Sequence, residues 1–482
     1  MTGLETLEPK LVWKHFDQIR QIPRCSKHEE KIRQYIIDFA KKQGLQTRTD
    51  SVGNVVIMKP AAQGMEKKPV AILQGHMDMV CEKNSDVTFD FTKDPIQLTI
   101  NKDILKAKGT TLGADNGIGV AMSLAILEDK NMKIGPIEAL FTVDEETGLT
   151  GAFALEPNML KGRIMLNLDS EDFGVITVGC AGGGDSRLDL PLNIEPVPKD
   201  LVGLSVTISG LRGGHSGVDI HEQRGNAIKI LARILWNAGM KYTITIADIK
   251  AGDKHNAIPR EAHALIGVTK AEKNAVTTLM KQTCQAILEE IRTADQNLKI
   301  DVSDAKLPAQ AITQSSTMTL LNLLCSLPHG VDKRSYDIPT LVETSNNVAV
   351  VSITGKTAVI STSSRSSVKS ELQDMRDRIH AVANLAGAND TEGNAYPGWK
   401  PNMDSKLLKL SQKIFKDMYH EDAKIEAIHA GLETGIVGEK FPGMDMISIG
   451  PTLKNPHSPD EYLVISTVGK TYDYVLKILQ NL

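Results

Sequence analysis

His76 and Asp78 stand two residues apart in LQGHMDMV (73–80), at the end of a short apolar run. In a strand, residues i and i+2 face the same side, so this spacing lets a carboxylate orient an imidazole that serves as a ligand. Other polar positions also follow apolar runs. Asp115 lies in GADNGIG (113–119), Asp144, Glu145 and Glu146 follow IEALFTV (137–143), Asp169 ends RIMLNLD (163–169), and His457 sits between two prolines in TLKNPHSPDEY (452–462). Taken singly each has an ordinary use: a hydrogen-bonded strand end, a helix N-cap for Asp115, a solvated acidic turn, a loop aspartate, a surface histidine. Together they point to one place, because ligands of open α/β sheets bind in the crevice outside the carboxyl ends of the strands.

The set also balances as charge. Two divalent ions carry four positive charges; Asp115, Glu146 and Asp169 supply three negative charges, a hydroxide the fourth, and His76 and His457 neutral nitrogen donors. The five cysteines (Cys25, Cys81, Cys180, Cys284, Cys325) are scattered, odd in number and free of CxxC pairs. That pattern suits buried reduced thiols better than a disulfide framework or a thiolate zinc site. Nitrogen and oxygen ligands without sulfur suit zinc, manganese or cobalt. A two-metal hydrolase is the expectation.

The elements that must position these residues follow from periodicity. From about residue 10 to 180, amphipathic helical stretches such as EEKIRQYIIDFAKKQG, closing on Gly44, alternate with the runs VAILQG, IEALFTV and RIMLNLD. This predicts an α/β fold with a mostly parallel sheet flanked by helices. After AGGGDS (181–186), read as a hinge, the texture becomes α+β, with strands such as LSVTISG and VAVVSITG around the long helical stretches NAIKILARILWNAG and AVTTLMKQTCQAILEEIRTA. The chain loosens again at TEGNAYPGWKPN (391–402) before returning to helix and strand. The expected organisation is a discontinuous catalytic domain, 1–186 and 397–482, interrupted by a lid domain, 187–396, of two similar α+β halves.

At 482 residues the chain exceeds the size of one hydrophobic core. Its 55 basic and 59 acidic residues are spread without long single-sign runs, so neither nucleic acid nor a membrane surface is an expected partner. The N-terminal stretch lacks a basic region followed by an apolar core, and no apolar segment reaches the roughly 18 residues that span a bilayer. A cytoplasmic location is expected.

The motifs GHMDMV (75–80), TTLGADNGIG (110–119), TVDEETGLTGA (142–152), NLDSED (167–172), GGHSG (213–217), HNAIPR (255–260), SSRSS (363–367), HAGLETG (429–435) and GPTLKNPHSP (450–459) recur in order along the chain. In these residues the sequence resembles the dinuclear-zinc exopeptidases related to carnosinase, carboxypeptidase G and the aminoacylases. Within them it is most similar to the bacterial aminoacyl-histidine dipeptidase family, also called peptidase D or cytosol non-specific dipeptidase. The resemblance implies a zinc-exopeptidase-like fold with a large inserted lid and dimerisation domain, and two divalent ions per subunit. Asp115 would bridge the ions, Glu146 and His457 would complete one set and His76 and Asp169 the other. Asp78 would fix the His76 tautomer, which also raises its basicity, and Glu145 would be the general base. Arg365 and His429 would hold a substrate carboxylate, a task to which the planar fork of arginine is suited. His215 would stabilise the oxyanion, together with Asn256, either in cis or from a partner subunit of a homodimer.

The leading expectation is a metal-dependent dipeptidase that hydrolyses unblocked dipeptides, including Xaa-His. The alternatives are a related metalloaminoacylase or tripeptidase and, from another class, a metal-loaded scaffold without catalysis. A two-metal phosphoesterase is disfavoured by the lack of an arginine-rich phosphate clamp, and neither GGHSG nor AGGGDS fits a phosphate-binding loop.

Overall fold

Apolar runs without polar alternation form strands that are covered on both faces. Ala71–His76 and Ile137–Thr142 are such strands, buried along their whole length in the computed structural model, which describes residues 3–482. They pair in parallel with each other, Ala71–His76 pairs in parallel with Ile164–Asn167, and that strand with Asp445–Ser448. The sheet has eight strands. The expected parallel character holds across these four central strands. Gln46–Thr49 and Val55–Lys59 extend one side antiparallel, and strands from 175–179 and 424–427 form the other edge.

Helix Glu30–Gln43 ends at Gly44, which takes a left-handed φ of 71°, the C-cap conformation that glycine adopts without a Cβ clash. It packs on the Gln46–Thr49 and Val55–Lys59 strands, Ala114–Glu128 on Ala71–His76, and Lys406–Tyr419 on Asp445–Ser448. A small four-stranded sheet, Leu98–Asn101, Ile104–Ala107, Tyr462–Val464 and Leu453–Lys454, carries a hairpin whose loop is 455–461. These elements make one compact unit: the chain up to Gly179, Trp399–Ala427 and Leu432–Leu482.

The second unit is Cys180–Gly398 with Ile428–Gly431, built on a nine-stranded antiparallel sheet. Two β-α-β-β-α-β halves share it. One runs Leu201–Ser209, helix Ala227–Gly239, Ile244–Ala251, Ala262–Thr269, helix Lys273–Ile291, Lys299–Ala305. The other runs Gly182–Pro191, helix Gln314–Ser326, Val342–Thr354, Thr357–Ser366, helix Lys369–Ala386, Asn389–Tyr396. The halves are nested, since the first is inserted behind the opening strand of the second. Asn226 caps its helix by accepting from the N–H groups of Ile228 and Lys229, an arrangement worth about 1 kcal/mol.

Three expectations are corrected here. AGGGDS is no hinge: Gly182–Pro191 is hydrogen-bonded along both edges, to Thr357–Ser366 and Asn389–Tyr396. Its glycines serve close approach, because a Cβ on Gly182 would lie 2.4 Å from the Tyr396 carbonyl oxygen and one on Gly183 2.6 Å from the Tyr396 hydroxyl. The stretch read as loosened at 391–402 begins inside the edge strand Asn389–Tyr396. Cys25 and Cys81 are joined by a disulfide, Cα atoms 5.7 Å apart, whereas Cys180, Cys284 and Cys325 are free. The pair is 56 residues apart in sequence and meets because Cys25 bridges the backbone of Met79. Among the described residues no helix is long and apolar enough to cross a membrane.

One glycine ties helix to strand end beneath the polar cluster. A Cβ on Gly119 would lie 2.5 Å from the carbonyl oxygen of Leu168, the residue before Asp169. Backbone cannot yield as a side-chain tip can, so Gly119→Ala is expected to lower the unfolding free energy by about 1–3 kcal/mol. A urea titration checks this, and a midpoint equal to wild type would show that the helix moves away at no cost.

Candidate metal centre

All the polar residues expected at the strand ends belong to the first unit. His76 closes the Ala71–His76 strand and is 1% exposed. Its Nδ1 lies 3.2 Å from Asp78 Oδ1, and its Nε2 lies 3.0 Å from Asp115 Oδ1 and 3.4 Å from Asp169 Oδ1. The other oxygen of Asp115 faces the second histidine: Oδ2 is 3.3 Å from His457 Nε2, which is also 2.8 Å from Glu146 Oε2. Candidate ligand atoms of His76, Asp115 and Asp169 lie within 4.8 Å of one another, as do those of Asp115, Glu146 and His457. Asp115 belongs to both groups.

Asp78 does more than face the imidazole. Its carboxylate also accepts from the backbone N–H groups of Glu145 and Glu146, at 3.1 and 3.2 Å, and from the Ser26 hydroxyl at 2.8 Å. It therefore sets the turn that points the two adjacent glutamates. That turn opens at Asp144, in the left-handed region at φ 48°, held by N–H donation to Glu29 Oε1 and by the Thr147 and Thr150 hydroxyls on its carboxylate. His457 also sits at a left-handed φ of 61°, in the hairpin loop 455–461.

The electrostatics fit a cationic guest. His457 is pushed up to about 11 by its hydrogen bonds to Asp115 and Glu146. For His76 burial works against the charge, but Asp169 and the hydrogen bonds the ring donates to three carboxylates outweigh it and raise the imidazole well above its usual value. Burial raises Asp169 to about 6, reinforced by Asp115 and Glu146. Burial also lifts Glu145 well above the carboxylate range, with Asp169, Glu433 and Glu146 adding to it and His76 opposing. Asp78 is held at about 2 against its burial by His76 and the turn N–H groups. Glu146 Oε1 is buried without a hydrogen-bond partner, and the buried Asp169 Oδ1 has a long contact of 3.4 Å with His76 Nε2. Carboxylates gathered out of water repel unless cations or protons separate them. Two imidazole nitrogens and three carboxylates, one with an orphaned buried oxygen, are a donor set that divalent zinc, manganese or cobalt would satisfy.

Reading the sequence missed several residues of this cluster. Glu433, 1% exposed, accepts from Gln74 Nε2 and the Thr142 hydroxyl, both at 2.6 Å, and burial raises it to about 7. Arg24, 3% exposed, donates to the carbonyls of Met77, Asp78 and Gly113. Glu461, 1% exposed, accepts from four backbone N–H groups of residues 112–115. HAGLETG and HSPDEY were visible as motifs, but only contacts across hundreds of residues disclose these partners.

The remaining candidates, His215, Asn256, Arg365 and His429, fall in the second unit. His215 Nδ1 accepts from the N–H groups of Gly217 and Val218, which leaves Nε2 to carry the proton of the neutral ring. Burial and Arg365 lower its pKa. His429 Nε2 lies 2.7 Å from the Ser345 hydroxyl, and burial, with Arg365 behind it, lowers its pKa to about 3. Arg365 donates to the Tyr396 hydroxyl at 3.0 Å and keeps a buried, unpartnered Nε. A Cβ on Gly217 would lie 2.2 Å from the His429 carbonyl oxygen and 3.0 Å from Arg365 Nε, so the His215 loop packs directly on both. Asn256 is exposed, and its carbonyl accepts from Ser216 N–H. Tyr396 went unnoticed because its surroundings read as a linker.

A sheet with buried parallel centre strands, whose ends gather two histidines and a set of carboxylates around one shared aspartate, defines a metallopeptidase-type hydrolase. Residues 72–481 match Peptidase family M20/M25/M40, and the chain belongs to that family of metallopeptidases. It is 41% identical over 483 aligned residues to the cytosol non-specific dipeptidase of Escherichia coli K12, covering 100% of this chain and 99% of the relative. The solved aminoacylhistidine dipeptidase of Vibrio alginolyticus superposes with a TM-score of 0.94 at 40% identity, covering 100% and 99%. The aminopeptidase PepT of Bacillus cereus shares the fold at a TM-score of 0.56 and 16% identity, covering 98% of each chain.

Asp78→Asn keeps the shape but offers an amide where His76 and two N–H groups require a carboxylate. It is expected to weaken zinc binding about 10–100-fold, the range for losing a partner that orients a ligand. Competition with a chromophoric chelator checks this, and an unchanged affinity would mean that His76 is oriented without it.

Proposed function

We propose that the chain is a cytoplasmic dipeptidase that cleaves unblocked dipeptides, including Xaa-His, with two divalent ions, zinc in the first place, held by His76, Asp115, Glu146, Asp169 and His457. The observation that carries the metal reading is Asp115, whose two oxygens each face a different histidine while Glu146 Oε1 is buried without a hydrogen-bond partner. The dipeptide preference and the cytosolic location rest on the names of the two relatives that match the whole chain at 40% identity or more.

Bound ions of this kind polarise a carbonyl and lower the pKa of water. The chain's own residues do the rest. Glu145, whose carboxyl burial holds above its usual range, accepts a proton from the attacking water and returns it to the departing amine. Asp78 keeps Glu145 turned to that task through the backbone N–H bond at 3.1 Å and keeps the His76 Nε2 free of its own proton. In the second unit Arg365 and His429 hold the substrate carboxylate. His215 donates from Nε2, the tautomer its backbone bonds select, to the oxyanion, with Asn256 beside it on the paired loop. A homodimer formed through this unit completes the proposal.

Two measurements test it. Metal-stripped protein, supplemented in turn with zinc, manganese and cobalt, is offered free dipeptides, tripeptides and N-acetyl amino acids. Cleavage of the dipeptides supports the proposal, and cleavage only of the acetylated compounds or only of tripeptides replaces it with an aminoacylase or a tripeptidase. Glu145→Gln is expected to reduce kcat by about 10²–10⁴-fold with metal content unchanged. Turnover near wild type would assign the proton transfer to another group.

A further inference from the structure

An aspartate at the start of a helix ordinarily accepts hydrogen bonds from the helix's own first N–H groups. Asp115, near the start of Ala114–Glu128, does not: it and Asn116 have non-helical backbone angles (φ −78°, ψ 113° and φ −100°, ψ 29°), so regular helix begins only after them. The N–H groups that precede this break are satisfied from far away. Glu461 Oε2 accepts from the N–H groups of Leu112 at 2.6 Å and Gly113 at 2.9 Å, and Oε1 from those of Ala114 at 2.8 Å and Asp115 at 3.3 Å. Both carboxylate oxygens are thus doubly occupied by backbone donors of the segment that leads into the helix.

Glu461 also ends the hairpin loop that carries His457. Its own N–H donates to the Ser458 carbonyl, and Tyr462–Val464, which follows, is paired with both Leu453–Lys454 and Ile104–Ala107. One buried carboxylate therefore fastens the segment bearing Asp115 to the loop bearing His457. From the opposite side Arg24 donates to the Gly113 carbonyl and to the carbonyls of Met77 and Asp78, so the same short segment is gripped by an anion at its N–H groups and a cation at a carbonyl. The pairing keeps each buried charge compensated.

We infer that Glu461 is a positioning residue of the metal centre: by satisfying the N–H groups of residues 112–115 and tying them to the His457 loop, it fixes the backbone from which Asp115 projects, so that both Asp115 oxygens face the histidines. Without Glu461 those four N–H groups lose their acceptor, the segment carrying Asp115 rearranges, and the two candidate ligand sets lose the residue they share. This inference rests on the metal reading of the site.

The test uses the full chain as wild type, Glu461→Gln, Glu461→Asp and, as a control, Asp460→Asn at the exposed neighbour. Metal-stripped protein is titrated with zinc against a chromophoric chelator, and the cobalt-loaded forms are compared by visible absorption at saturating cobalt. Glu461→Gln places an NH2 group against backbone donors and is expected to weaken zinc binding about 10–100-fold. Glu461→Asp, which keeps the charge but is one methylene shorter, is expected to lose threefold or more yet less than Gln, and Asp460→Asn to match wild type. The cobalt spectrum of either Glu461 variant is expected to differ from wild type, because a rearranged Asp115 changes the coordination. An affinity loss below threefold in a folded Glu461 variant overturns the inference, as does an affinity loss with an unchanged cobalt spectrum, which marks general loosening. Should Glu461→Gln fail to fold, Glu461→Asp decides alone by the same two readings. Wild-type protein that takes up neither zinc nor cobalt overturns the metal reading and this inference with it, an outcome distinct from any change confined to the variants.

Discussion

Asp115 offers one oxygen to His76 and the other to His457, and everything around it serves to keep that division stable. A carboxylate removed from water is costly unless hydrogen-bonded or paired, and here Asp78, Glu145, Glu146, Asp169 and Glu433 crowd the same region. Such a cluster is tolerable only when positive charge is interleaved with it. In the chain alone the two imidazoles serve this purpose, which is why their affinity for protons is raised. Bound divalent ions would serve it better, with both rings neutral and His76 keeping only the Nδ1 proton it gives to Asp78.

The sheet holds this arrangement rigid from beneath. Glu433 accepts from Gln74, Gln74 Oε1 accepts from Asn167 at 2.5 Å, Asn167 accepts from the Ser448 hydroxyl, and Ser448 meets Ser170 at 2.9 Å. The chain of bonds crosses the parallel strands one level below the metal cluster, and its members are buried or half-buried. In a buried polar network of this kind, a rearranged strand end would leave several groups unpaired at once. At the rim the Cys25–Cys81 bond, Ser26 and Arg24 brace the segment 77–79. Ligand geometry is thus inherited from the strands rather than from the loops.

Much of the first unit was legible in the sequence because its signals are local. VAILQG and IEALFTV are too apolar to be anything but covered strands, and helix Glu30–Gln43 announces its end with Gly44. The polar residues that follow these runs could be picked out because strand ends converge in such sheets. Other features depend on distant partners that no period records. Glu461 meets residues 346–349 positions earlier, Glu433 meets Gln74 across 359, and the cysteine pair spans 56. Glycines misled for a related reason: in AGGGDS they make room for the neighbouring strand at Tyr396, a use that looks identical in sequence to flexibility. The nesting of the two halves in the second unit escaped notice because the opening strand of one lies before the whole of the other.

The most direct test of the central claim is the anomalous difference map of crystals grown in zinc. Two peaks are expected in each chain, one among His76, Asp115 and Asp169 and one among Asp115, Glu146 and His457, with Asp115 in contact with both. A single peak, or two peaks that do not share Asp115, would contradict it.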